Sequence, residues 1–150
     1  MRKFYIIIFV LFYVSLSIAQ NNPQLSQPEF INLNPGSGLP FSDAVRVGNT
    51  LYLSGQIGFD SETGKLIEGG IEAETKKALT NIKDLLEKLG SSIDNVVKCT
   101  VILADIKEWP AMNNVYKTFF KKYPARTSFA ASGLALNARV EIECIAVINK

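Results

Sequence analysis

The stretch RVEIECIAVIN near the C-terminus restricts what this chain can fold into more than any other. Val140, Ile142, Cys144, Ala146 and Ile148 alternate with Glu141, Glu143, Ile145 and Val147, the period of a strand whose side chains point to opposite faces. The first set is uniformly apolar and belongs in a core. The second mixes two carboxylates with two large aliphatics, too apolar for open water and too charged for an interior. A second copy of the chain covering that face reconciles the two properties, so an oligomer is expected.

What precedes this strand supplies partners for its apolar face. AVRVGNTLYLSGQ alternates, breaks at Gly48-Asn49 and alternates again, the pattern of a β-hairpin. GFDSETGKLIEGG is rich in turn residues and reads as a loop. In IEAETKKALTNIKDLLEKLG, Ile71, Ala78, Leu79, Ile82, Leu85, Leu86 and Leu89 recur at spacings of three and four, which predicts an amphipathic helix stopped by Gly90. NVVKCTVILAD is β-branched and predicts a strand. A second helix is expected from near Pro110, with Met112, Val115, Tyr116, Phe119 and Phe120 on one face, until Tyr123-Pro124 ends it. ARTSFAAS and the final alternating segment complete the chain as strands. Strand, strand, helix, strand, helix, strand, strand suits an α+β sheet with both helices on one face.

The N-terminus is different in kind. Arg2 and Lys3 precede an apolar run from Phe4 to Val14 and small residues around Ala19, the layout of a secretory signal peptide over residues 1–19. The run is shorter than the roughly 20 residues of a spanning helix, so the mature chain is expected to be exported, periplasmic or secreted, with no membrane attachment after cleavage. Residues 20–40, rich in Asn, Pro, Ser, Gly and Gln, read as an irregular lead-in, and 41–150 as the domain proper. Of the 16 basic and 14 acidic residues, Arg2 and Lys3 leave with the leader, and the mature chain is formally neutral. Such a chain lacks the broad positive field on which nonspecific nucleic-acid binding depends, so nucleic acid is not an expected partner.

The chain has no histidine and two cysteines. The first fact removes Ser-His and Cys-His pairs and the common zinc sets, so no metal site is expected, and catalysis falls to carboxylates, arginine, hydroxyls, backbone groups and water. Cys99 and Cys144 both fall in apolar strand segments. They are either buried free thiols or a disulfide between adjacent strands.

LYLSGQIGFDSETGKL, NVVKCTVILADIKEW, MNNVYKTFF, YPART and VEIECIAV, in that order and spacing from about Pro40 to Ile148, resemble the successive signatures of the RidA (YjgF-type) reactive intermediate deaminase family. The resemblance implies a chorismate mutase-like α+β fold, a mixed sheet with two helices on one face, and a homotrimer with a small-molecule site in each cleft between subunits. It also implies cofactor-independent hydrolysis of 2-imino acids, tautomers of 2-enamino acids, to 2-keto acids and ammonia. A non-catalytic trimeric module that binds small carboxylate metabolites is the alternative.

Carried over by position, the family's substrate-carboxylate arginine falls on Arg126 in PART, and its acidic residue on Glu141 in VEIECIAV. A planar guanidinium fork suits a planar imino carboxylate, and a carboxylate can orient or deprotonate water. Arg126 is also a candidate for an interface ion pair, with Glu141 as one partner, and Glu143 shares the face of Glu141 by parity. Asn113, Ser54 and Gly55 match residues lining the family's pocket. Phe41 stands where many members have tyrosine, which keeps an aromatic wall without its hydroxyl, and Ser128 replaces a common cysteine. Leu134–Asn137 replaces a Leu-Pro segment before the last strand.

Overall fold

The computed structural model describes residues 27–149. The leader reading of residues 1–19 lies outside them. Strands β1 (Glu29–Ile31), β2 (Ala44–Val47), β3 (Thr50–Leu53), β4 (Gln56–Ile57), β7 (Val96–Leu103), β8 (Ala125–Ala130) and β9 (Val140–Val147) form one mixed sheet. Its order is β1-β2-β3-β9-β7-β8, with β4 also paired to β9. A separate small hairpin joins β5 (Phe59–Asp60) to β6 (Lys65–Leu66). Helices α1 (Gly70–Lys88) and α2 (Trp109–Tyr116) pack together on one face.

The alternation along β9 organises the sheet. Val140, Ile142, Cys144 and Ala146 are buried beneath α1, and on flanking strands Leu51, Leu53, Cys99, Val101 and Leu103 are buried on the same side. Helix α1 answers with Ile71, Ala78, Leu79, Ile82, Leu85 and Leu86, the stripe its spacing predicts, and α2 adds Met112 and Tyr116. These side chains form one continuous core, whose burial is the main stabilising term.

Local signals decide the boundaries. Val47 pairs with Thr50, so Gly48-Asn49 is a two-residue turn, and Gly48, at φ 60°, takes the left-handed position that a II′ hairpin requires. Gly90, at φ 76°, ends α1, and the N–H of Ser91 donates to the carbonyl of Leu86 at 2.8 Å.

Three expectations differ from the fold. The stretch GFDSETGKLIEGG, expected as a loop, contains the β5–β6 hairpin, because its turn residues bring Phe59 opposite Leu66 and Asp60 opposite Lys65. The expected irregular lead-in contributes β1, an edge strand pairing Phe30 with Val45, because backbone pairing on an open edge needs no apolar alternation to announce it. Helix α2 ends at Tyr116 rather than Tyr123. The Thr118 hydroxyl donates to the Val115 carbonyl at 2.7 Å, and Thr118 N and Phe119 N donate three residues back, so the last turn tightens and stops. Phe120 still reaches the core from the turn that follows.

The other face of the sheet carries Val45, Val47, Tyr52, Ile145, Val147, Ile102 and Phe129 together with Glu141, Glu143, Lys98 and Thr100, and no helix among the described residues crosses it. Tyr52 is 47% and Phe129 46% exposed. Ile142, wholly buried on the central strand, is where the core is most sensitive. Ile142→Ala is expected to cost about 2–5 kcal/mol, read as a lower urea midpoint at unchanged m-value; a loss below about 1 kcal/mol contradicts the packing described.

Candidate functional site

The sequence-predicted residues form two groups. The first is built on the edge strand β8 and on α2. Arg126 lies opposite Cys99 in the parallel β7–β8 ladder, so its side chain leaves the sheet on the helix side. There its guanidinium carbon lies 4.5 Å from the Tyr116 ring centroid and 5.7 Å from that of Trp109. Trp109, Asn113 and Tyr116 are four and three residues apart and share one stripe of α2. Asn113 therefore sits between the two rings that meet the guanidinium. Stacking on aromatic faces leaves the N–H donors at the guanidinium edge directed outward, and Arg126 forms no salt bridge among the described residues.

Ser128, two residues on, faces the same side opposite Val101. Its hydroxyl and that of Tyr116 are buried without hydrogen-bond partners among the described residues. Burial, with the neighbouring Cys99 sulfur, holds the Tyr116 phenol well above its ordinary pKa, so it stays protonated under Arg126.

The second group surrounds Glu141. Strands β3 and β4 are successive parts of one strand running along β9, with Tyr52 opposite Ile145 and Gln56 opposite Ile142. Three residues, Leu53 to Gly55, thus span what two, Glu143 and Cys144, span on β9, which makes a β-bulge. The Glu141 carboxylate lies against the glycine of that bulge. A Cβ on Gly55 would overlap Glu141 Oε1 and come within 2.8 Å of its Cδ. Ser54 is tied to the neighbouring loop, its hydroxyl donating to Ser42 O at 2.6 Å and its N–H to Asp43 O at 3.1 Å. The exposed Phe41 precedes Ser42 in the chain, so the Ser42–Asp43 loop beside it reaches Ser54, next to Gly55 and Glu141. Glu143 points instead into a shallow depression of about 290 Å³ with Tyr52, Lys98, Thr100 and Ile145. Of the two glutamates, Glu141 is the one whose carboxylate lies against the bulge glycine, a distinction parity could not make.

Two supports of this corner were not singled out in the sequence. Glu74, buried on α1, accepts a hydrogen bond from the N–H of Arg139 at 2.8 Å, just before β9 begins. The same turn of α1 approaches Gly58 so closely that a Cβ there would lie 2.7 Å from Glu74 Cα. Glu74 thereby fixes the start of β9, the strand that carries Glu141, and packs against the end of its neighbour β4; the available signal was a carboxylate inside the apolar stripe of an amphipathic helix. The second support is the Arg139 side chain, bidentate to Glu108 at the start of α2, with Nε 2.9 and 3.1 Å from the carboxylate oxygens. Between β8 and β9, Leu136 and Asn137 take φ 56° and 62°, so the segment in place of Leu-Pro is a left-handed turn with Leu136 exposed.

One protomer does not bring the two groups together. Glu141 lies opposite Ile102, and Ile102 opposite Phe129, which places Glu141 on the helix-free face. Arg126 is three residues from Phe129 and emerges on the other face. Two strand spacings across and three residues along put their Cα atoms about 14 Å apart, pointing in opposite directions.

The family model described as Endoribonuclease L-PSP matches residues 32–148. A goat (Capra hircus) protein named 2-iminobutanoate/2-iminopropanoate deaminase is 49% identical over 109 residues, 72% of this chain and 80% of the relative. The crystal structure of RidA from the Antarctic bacterium Psychrobacter superposes with a TM-score of 0.74 at 38% identity, covering 80% of this chain and 99% of that one. That of E. coli TdcF with bound serine does so at 0.74 and 30%, covering 81% and 99%. With a match across nearly all the described residues and the same α+β sheet, the chain belongs to the Endoribonuclease L-PSP family, the RidA family of imine deaminases and their relatives.

Proposed function

We propose that this chain hydrolyses small 2-imino acids, tautomers of 2-enamino acids, to 2-keto acids and ammonia, without a cofactor, in a homotrimer whose sites lie between subunits. Arg126, Asn113 and Ser128 of one protomer face Glu141, Ser54, Gly55 and Phe41 of the next. The observation that carries the reading is the Arg126 guanidinium, stacked on Tyr116 and Trp109 with no salt bridge among the described residues. That is an anchor prepared for a planar carboxylate. The goat relative's name supports the same chemistry, and the serine bound to E. coli TdcF is a ligand of the right size with the same carboxylate.

The reaction asks little more of the protein than position. The C=N carbon of a protonated imine is already electrophilic. With the substrate carboxylate on Arg126, a water held by Glu141 loses one proton to that carboxylate as its oxygen bonds to C2 and the C=N π electrons move to nitrogen. Glu141 then returns the proton to the amine nitrogen. As the C–N bond breaks, the remaining hydroxyl proton passes to the Glu141 carboxylate and the C=O forms, and the departing ammonia takes that proton as ammonium and restores the carboxylate. Phe41 contributes an apolar wall and no proton, which leaves Glu141 as the proton carrier.

Keto-acid release from imino acids generated in situ tests this directly. Arg126→Ala is expected to lower kcat/KM by about 100-fold, from the loss of two charge-assisted hydrogen bonds, and Glu141→Gln to lower kcat by about 10²–10⁴-fold. Wild-type protein that binds carboxylates but releases no keto acid would instead be a binding module. Gly55→Ala adds a methyl where the Glu141 carboxylate now rests. About 100-fold loss of kcat is expected with an unchanged circular dichroism spectrum, and full activity would place Glu141 elsewhere.

A further inference from the structure

Cys99 and Cys144 have no part in the hydrolysis, yet their arrangement is specific. They stand directly opposite each other on β7 and β9, both buried, with their Sγ atoms 2.9 Å apart. Cross-strand neighbours in an antiparallel pair have Cα atoms about 4.5–5.5 Å apart, inside the roughly 4.4–6.8 Å window of a disulfide, and their Cβ atoms leave the sheet on the same side. The two thiols differ in character. The hydrogen bond shared with Cys144 lowers the Cys99 thiol against the opposing effect of burial, aided by the charges of Arg126 and Lys98. The same bond, together with burial, pushes the Cys144 thiol up. The two sulfurs share one hydrogen bond in which either can donate, so a thiolate on one is stabilised by the thiol of the other.

We propose that Cys99 and Cys144 are an oxidation site that closes to an intrachain disulfide between β7 and β9 by exchange with a small external disulfide such as oxidised glutathione. The Cys99 thiolate attacks one sulfur of the external disulfide and expels the other half as a thiolate. The Cys144 thiolate then attacks the Cys99 sulfur of the mixed disulfide and expels the second half. Two electrons pass to the external disulfide, and the two protein thiol protons end on the two thiols released. Because the sulfurs are buried beneath the helices in the folded chain, with Cys99 0% and Cys144 2% exposed, closure takes place as the chain folds. The 45-residue separation encloses most of β7, all of α2 and all of β8, the elements that present Arg126, so the bond ties that half of the site to the strand bearing Glu141.

The full chain, denatured and reduced, is refolded in glutathione buffers of increasing oxidising ratio, quenched in acid, and alkylated in denaturant for intact-mass measurement. Wild type is expected to accumulate a form about 2 Da lighter with no thiol alkylated and no glutathione attached, to regain two alkylatable thiols with dithiothreitol, and to melt several degrees higher when oxidised. In Cys99→Ala and Cys144→Ala neither the mass loss nor the redox-dependent melting shift should occur. Two alkylatable thiols, or a stable glutathione adduct, in wild type at the most oxidising ratio would overturn the proposal. So would a melting shift that persists in the double Cys99→Ala/Cys144→Ala variant.

Discussion

The period of two along β9 is the constraint on which the rest of this structure depends. This strand is paired on both sides, to β3 and β4 along one edge and to β7 along the other, so its register fixes that of every central neighbour. A slip of one residue would bring Glu141 and Glu143 under α1 and turn Ile142 and Cys144 outward. Burying two unpaired carboxylates costs far more than any local adjustment could recover, so a single register survives. Core and candidate site are two faces of that choice, because the alternation that buries Val140, Ile142, Cys144 and Ala146 also displays Glu141 at the bulge.

That economy explains which features could be read before folding. The α1 stripe, the β-hairpin at Gly48-Asn49, the stop at Gly90 and the two faces of β9 are each written in periodicity or in a residue with one dominant conformational use, and all of them match the fold. Strand β1 carries no such mark: it is three residues of edge pairing, and backbone hydrogen bonding there is nearly independent of side-chain identity. The early end of α2 hangs on one hydroxyl, that of Thr118, competing for a carbonyl that a longer helix would have used.

Within the site, residue types were legible and relations were not. Arg126 and Glu141 stand out as charges in strands, but only the ladder shows that they leave the sheet on opposite faces. Glu141 and Glu143 are equivalent by parity and are separated by the bulge at Ser54-Gly55, a displacement of one residue that no pattern of single residues reveals. Trp109 and Tyr116 look like core aromatics, and become a platform for Arg126 once α2 is laid against β8. Glu74 was hidden in a stripe otherwise assigned to packing.

With the roles proposed for them, Arg126 and Glu141 on opposite faces of one sheet would each need a neighbouring protomer to complete a site, as a cyclic assembly provides. Subunit mixing tests this most directly. Arg126→Ala and Glu141→Gln chains, each inactive alone, are co-refolded in equal amounts and assayed for keto-acid release. If each site takes Arg126 from one protomer and Glu141 from its neighbour, random assembly restores about one quarter of the wild-type activity per site. If both residues serve the same site from one protomer, no mixture recovers activity, and that result would contradict the account.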